Sequence, residues 1–563
     1  VFDVSAKRLF RLLATLRHLR AQQIVFLVWR RGIGARTIEP WREAPRQRDG
    51  FVDETTTVSN ATTAAPDGYV FNFLNLSQRF AAGAMDWCPR NVPRLWRYNL
   101  HYFDFLKDRE RPFCEKAALL DDWIANNPQG AAPAWEPYPT SLRIVNWCQF
   151  LGSLPPSLRR AHWVNSLYDQ ARWLERNQEH HILANHFFEN LKALLFAGVF
   201  FADDKAQRWL HYSQRALLVQ LREQILADGG HYERSPLYHC IILDGCLDLY
   251  RLACDYPGLF QSEFGAALHR QITAMLDYLA AIATPNDEIP LFNDSANGIA
   301  PTPRALAQRA ERLGFVRTPA PPALIDRPAS GLYGWKSAGD FFLIDCGDIG
   351  PSYQPGHTHC DFLSYVLMLD RQWLIVDSGV CEYEPGAMRR YVRSTEAHNT
   401  VAVDGGEQSE LWGEFRVGRR AKRLDARIAQ TERQVLFEGA YRGFLQLGGI
   451  EHHREARLQL DQNGLITGLS IADRLQGTGS RACHSYIHLH PALHAAIRGA
   501  NIDIQLQGRI LIRIHTTGVD NIHVLDRWYC PEFGLKLPSK VLQLTRSGSL
   551  PIRFGYTISV VGR

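Results

Sequence analysis

Apolar residues in this chain recur with two different periods, and the period changes a little past the middle. From about residue 110 to 325 they follow helical spacing in repeated stretches, at 114–126, 158–177, 189–201, 206–227, 240–254 and 265–284. Asn, Gly and Pro separate these stretches, so the pattern predicts paired antiparallel helices. The segment Arg317-Thr318-Pro319-Ala320-Pro321-Pro322 cannot continue a helix and reads as a link between domains. Beyond it the apolar runs are short, at 341–345, 363–369, 373–376, 400–403, 510–514, 522–525 and 556–561, with Gly, Asn-Gly and Asp-Gly turns between them. That pattern predicts many antiparallel strands and a β-sandwich.

Near the start, Leu9, Leu12, Leu13, Leu16 and Leu19 alternate with arginines at 8, 11, 17 and 20, which predicts a basic amphipathic helix. Docking onto the protein's own surface is the expected role, ahead of membrane contact. Residues 45–70 are polar, without a sustained period, and read as an extended connector. The expected organisation is therefore a basic helix and connector over 1–110 that pack on the helical domain, the helical domain itself over 111–325 and a β-sandwich over 331–563.

With 563 residues the chain exceeds what one core supports, and its 46% apolar and 21% charged content is that of soluble globular domains. The 63 basic and 58 acidic residues leave a formal charge of +5, too weak to favour nucleic acid but compatible with a local basic cleft for an acidic substrate. Eleven cysteines, an odd number without a C-x-x-C pair, argue against a disulfide framework or a cysteine-built zinc module. The apolar run Ile24-Val25-Phe26-Leu27-Val28-Trp29 is short and flanked by arginines, so neither a membrane span nor a signal peptide is expected. A cytoplasmic location follows, or a periplasmic one if the N-terminus is trimmed.

Chemistry concentrates in three places. In Gly356-His357-Thr358-His359-Cys360-Asp361, alternate histidines on an extended chain share one face and could meet one ligand, or be surface histidines in a turn. His359, with Asp377 and His398 further on, has nitrogen and carboxylate chemistry suited to a structural Zn²⁺. In Arg234-Ser235-Pro236-Leu237-Tyr238-His239, Ser235 reads as a helix N-cap and Pro236 as the first helical residue, placing Tyr238 in the first turn. A phenol acts as a base only where positive surroundings, here Arg234, the helix terminus and nearby histidines, favour the phenolate; otherwise Tyr238 is a core aromatic. Asn185, next to His186, either caps the following helix or helps its terminus hold an anion. Trp135 could present an aromatic face to a sugar ring, and Arg393 could hold a carboxylate.

These motifs resemble the heparinase II/III family of polysaccharide lyases. The resemblance rests on Ala184-Asn185-His186-Phe187-Phe188-Glu189-Asn190, on residues 228–239, and on the region from Gly356 through His398-Asn399-Thr400-Val401 to Trp412; it covers most of the chain beyond about residue 90. It implies an α+β multidomain protein, with an incomplete α/α toroid of paired helices followed by a C-terminal antiparallel β-sandwich. By the same resemblance, Asn185 with His186 matches the group that neutralises a uronate carboxylate, and Tyr238 and His357 match the catalytic tyrosine and histidine. His359, Asp377 and His398 match metal-binding positions, and Arg234, His239, Glu189, Arg393 and Trp135 complete the candidate substrate contacts. The implied reaction is β-elimination on an acidic polysaccharide. Either Tyr238 or His357 could remove the C5 proton, and the product would carry a C4–C5 double bond. Two other readings remain. One is a glycoside hydrolase using a carboxylate pair such as Asp287 and Glu288 or Asp228 and Glu233; the other is a non-catalytic glycan-binding protein of exopolysaccharide assembly.

Overall fold

The structure, a computed structural model, describes residues 2–48, 68–316 and 323–562. Most of the expected connector, 49–67, and the expected link at 317–322 lie outside the described residues. Contacts divide the chain into two compact units, one of residues 20–223 and 248–269, the other of 1–19, 224–247 and 270–563. Segments 224–247 and 270–316, expected with the helical part, thus cluster with the strands.

The helical unit is built around Pro137–Ser153, which packs against Arg94–Tyr102, Ala161–Asn177 and Ala184–Phe200. No helix was expected at 137–153, because Pro137 and Pro139 read as punctuation. Both prolines sit in the first turn, where no intrahelical amide is required of them. The helix is then buried nearly all round, its Arg143, Asn146 and Gln149 included, as is Ala184–Phe200, in which only His186 escapes burial. A two-residue turn joins Gly68–Phe73 to Leu76–Ala81, with Leu74 and Asn75 both at positive φ (53° and 59°) as a type I′ hairpin requires.

In the other unit every strand pairing within the sheets is antiparallel. Five strands, Leu324–Arg327, Leu332–Lys336, Phe341–Asp345, Tyr365–Leu369 and Gln372–Ile375, pair in chain order. Eight more form a second sheet in which Lys422–Thr431, Gln434–Gly443, Ile450–Leu460, Ile466–Gln476, Ile552–Val560 and Arg509–Thr517 lie side by side. One apolar core joins residues of both, among them Phe342, Tyr365, Phe437, Leu458, Ile471 and Ile558. The strand Ile450–Leu460 escaped the sequence pattern because two of its inward positions are His452 and Arg454. Both are fully buried and bind Asp473 of the adjacent strand, His452 Nε2 and Arg454 Nε at 2.7 Å to Oδ1 and Arg454 Nη2 at 2.9 Å to Oδ2.

The N-terminal helix Phe2–Leu16 docks on the protein's own surface, but on the strand-bearing unit and not on the toroid as expected: Arg11 Nε donates to Glu410 at 3.1 Å and Trp412 Nε1 to Thr15 Oγ1 at 3.0 Å. Leu9, Phe10 and Leu13 stay exposed. Among the described residues no helix is long and apolar enough to cross a membrane.

Candidate active site

The site in the strand-bearing unit begins with the tight approach at Asp228-Gly229-Gly230. A Cβ on Gly229 would fall 2.1 Å from the Ala274 carbonyl oxygen, and one on Gly230 would fall 2.1 Å from Ser330 Oγ. The chain then enters the helix Pro236–Asp255 as expected, with Ser235 Oγ accepting from the Tyr238 amide at 3.3 Å. Ser235 Oγ donates in turn to the Asp294 carbonyl at 2.8 Å, which ties this helix start to the segment carrying Asp294.

Tyr238 lies flat on His357, ring centroids 3.8 Å apart at 28°. Its hydroxyl is 3.4 Å from that of Tyr383. His357 is held between two carboxylates: Nδ1 is 2.9 Å from Asp294 Oδ2, and Nε2 is 3.3 Å from Glu233 Oε2. Asp294 is fully buried and serves three partners. Oδ1 meets His359 Nε2 at 2.9 Å and Arg389 Nη1, while Oδ2 also accepts from Arg389 Nη2 at 2.8 Å. The Arg389 guanidinium carbon lies 4.8 Å from the Tyr383 ring centroid.

The electrostatics depart from the sequence expectation at Tyr238. Arg234 commits Nη1 to the Ser330 carbonyl at 2.6 Å, and although Arg389 and His357 are also near the phenol, Tyr383, Asp294 and Glu233 are the neighbours that raise it. Burial, then these neighbours, push the Tyr238 phenol well above its ordinary value, so it is held neutral rather than activated as phenolate. Burial would raise Asp294 too, but Arg389, His357 and His359 hold it well below the usual carboxylate range.

Four expected substrate contacts have structural partners instead. His239 is buried, bonds the Met275 carbonyl at 3.1 Å and packs on Tyr278, and burial pulls it down to about 4. Arg393 is buried and donates to the backbone carbonyls of Thr358, Gly413 and Glu414 at 3.2, 3.0 and 2.8 Å, so it fixes loops and not a carboxylate. In the helical unit, Glu189 is buried in an ion pair with Lys192 at 2.8 Å. Trp135 is a core aromatic there, bonded to the Asn127 carbonyl at 2.9 Å and packed on Trp123 and Trp173.

Asn185 and His186 belong to the helical unit. Asn185 does not cap its helix: the N-cap is Leu183, without a side-chain cap, and Asn185 stands inside the first turn. Leu183 and Ala184 are both at positive φ (66° and 55°), a strained backbone of order 1–3 kcal/mol per residue that delivers Asn185 to its place. His186 Nδ1 is 3.1 Å from Glu179 Oε1, and its ring packs on Tyr138 at 4.5 Å.

For a metal, the donor set is mixed. His398 Nδ1 bonds Asp377 Oδ2 at 2.8 Å, and the His359 and His398 rings lie 5.3 Å apart. His359 Nδ1 and His398 Nε2 are buried without a hydrogen-bond partner, which fits two imidazole ligands. Among the described residues no three His, Cys, Asp or Glu side chains are grouped as a metal requires, so the expected three-ligand set with Asp377 is not assembled.

From sequence, Glu233 reads only as one of a hydrolase's carboxylate pair, and Arg389 as part of the run 389–393 that either holds a carboxylate or is a solvated face; Asp294 and Tyr383 are not assigned to the tyrosine–histidine site. The segment 293–298 reads from sequence as suited either to a sugar ring or to interhelical packing, and Tyr383 carries no local signal at all.

The family pattern "Heparinase II/III N-terminus" matches residues 53–310 and "Heparinase II/III-like, C-terminal" matches 319–559. A heparin-sulfate lyase of Pedobacter heparinus is 28% identical over 192 residues, covering 31% of this chain and 28% of that protein. The FtsZ-localized protein C of Caulobacter vibrioides is 23% identical over 510 residues, 85% of this chain and 81% of that protein. A crystal structure of heparinase III superposes with a TM-score of 0.68 at 16% identity, covering 85% of this chain and 80% of that one. The match thus spans under a third of the first of these relatives, while the fold is shared over most of the chain: paired helices of an α/α toroid followed by an antiparallel β-sandwich. With both halves matched in order and the tyrosine and histidine motifs inside the matched regions, this chain belongs to the heparinase II/III-like family.

Proposed function

We propose that this protein is a polysaccharide lyase that cleaves a uronic-acid-containing polysaccharide by β-elimination. The observation that carries the reading is the neutral Tyr238 phenol stacked on a histidine held at both nitrogens by carboxylates. A hydrolase of the two-carboxylate kind would need a raised acid and a second carboxylate across the scissile bond. Here Asp294 is locked low by Arg389, and tyrosine and histidine form the centre of the site.

The C5 hydrogen of a uronate is weakly acidic, so its removal needs a base and a partner for the charge moving onto the carboxylate. His357 acts in its neutral form, its one proton on Nδ1 and donated to Asp294; Nε2 takes the C5 proton, and Glu233 beside that nitrogen pairs with the N–H that forms. The C5–H electrons become the C4–C5 double bond, the C4–O4 bond breaks, and Tyr238 gives its proton to O4. A phenol held neutral suits the acid role better than the base role. By the family resemblance, we assign the neutralising of a substrate carboxylate to Asn185, with His186 beside it in the first turn of its helix. A divalent metal held by His359 and His398 would supply rigidity beneath His357.

The test is incubation with a panel of uronate polymers, monitored in the ultraviolet band of a conjugated unsaturated uronate. Absorbance should rise with at least one polymer. Cleavage that yields only saturated ends would refute the assignment.

A further inference from the structure

The eight-stranded sheet carries, on its outer face, a groove of about 740 Å³ lined by residues that the proposed reaction does not use. Its floor is bare where Ala440, Ala472 and Gly555 stand at outward positions of their strands. Gly555 is required there, since a Cβ would fall 2.2 Å from the Ile471 carbonyl oxygen. Beside that floor His453, Arg474 and Arg553 face one another across three neighbouring strands, in register His453↔Arg474↔Arg553. Their flanking residues His452, Arg454, Asp473, Ile552 and Phe554 are buried, so alternation turns the basic row outward.

Like charges directly opposite on adjacent strands destabilise a sheet; His453 has Glu451 3.8 Å from its Nε2, but the acids of the groove do not relieve the Arg474–Arg553 pair. Glu438 pairs with Arg427 at 2.7 Å and Glu455 with Arg457 at 2.8 Å. Asp425 stands at the far end, separated from His453 by Ala440 in the strand register. Among the described residues neither Arg474 nor Arg553 has an ion pair, and both are exposed. Turned so that its oxygen faces the guanidinium, the Gln476 amide accepts from Arg474 Nε at 2.9 Å and orients it. Strands lie about 4.8 Å apart, so Arg474 and Arg553 offer two cationic groups at a step near the length of one sugar ring, with His453 as a further polar group one strand on.

We propose that this groove is a second binding site, separate from the Tyr238–His357 site, for the acid groups of an extended anionic polysaccharide. Arg474 and Arg553 take carboxylate or sulfate oxygens in bidentate fashion, and the bare floor admits the sugar rings. Only the identity of the occupant rests on the lyase reading; the charge argument stands without it. Such a site would hold a polymer during successive cleavages, whereas a short oligosaccharide would not need it.

The full chain carrying Tyr238→Phe, to prevent turnover, is titrated with polygalacturonate, hyaluronate and alginate, with neutral dextran as control. At least one anionic polymer should bind, more weakly as salt rises, and dextran should not. Adding Arg474→Gln and Arg553→Gln should weaken binding at least tenfold; if Arg474→Glu with Arg553→Glu unfolds the protein, the glutamine pair alone decides. With Tyr238 restored, the glutamine pair should raise KM for the polymer and leave turnover of a uronate tetrasaccharide unchanged. Binding that ignores both arginines, or no binding of any of the three polymers, overturns the proposal. If binding responds but no polymer is ever cleaved, the groove stands and the lyase reading falls.

Discussion

Asp294→Asn is the sharpest perturbation of the site, because one buried carboxylate holds His357, His359 and Arg389 together. The substitution preserves shape but puts an NH₂ group where an oxygen accepted hydrogen bonds. Arg389, almost wholly buried, then faces a donor and loses its counter-charge. Breaking a buried ion pair from one side costs about 3–5 kcal/mol, and the retained amide oxygen keeps this case near the lower end, about 3 kcal/mol. Urea unfolding should show that loss. Adding Arg389→Met should restore part of it, with a coupling energy of at least about 1 kcal/mol in the double-mutant cycle. Activity should fall on the order of 10²-fold or more, since His357 loses the acceptor that fixes its tautomer. A variant within about 0.5 kcal/mol of the parent, the range of neutral surface changes, would refute this reasoning.

Three further outcomes follow from the same geometry. Tyr238→Phe keeps the ring stacked on His357 and removes only the proton donor, so product formation should vanish while polymer affinity stays within about twofold; equal loss of both would make Tyr238 structural. Asp473, which burial would raise but Arg454 and His452 hold down to about 2, lies below its unfolded value. Its stabilisation, about 2 kcal/mol, is complete above pH ~4 and is lost as pH falls toward ~2, so Asp473→Asn should flatten acid unfolding in that window. If His359 and His398 hold a metal, elemental analysis of purified protein should find it, and prolonged chelation should lower the melting temperature of the parent but not of His398→Ala; metal-free parent protein would remove the assignment.

The local signals were strong where one segment carried the whole meaning. Ser235 and Pro236 announced the helix that presents Tyr238, and glycine turns bracketed the strands Phe341–Asp345 and Tyr365–Leu369. Polar residues in apolar surroundings were legible only as motifs. Asp294 and Arg389 are 95 positions apart and mean nothing separately; their pairing is a product of the fold. The same non-locality misled the reading of Arg393 and Glu189, whose charges are satisfied by loop carbonyls and a neighbouring lysine instead of by a ligand. Prolines that begin the helix Pro137–Ser153 looked like a break, and inward charges at His452 and Arg454 hid a long strand.

The central claim is tested most directly by the masses of the fragments released from a defined uronate oligosaccharide. Elimination through His357 and Tyr238 predicts fragments whose masses sum to that of the intact chain, the new non-reducing end lighter by one water than a saturated uronate. Fragments that together carry an added water would contradict it.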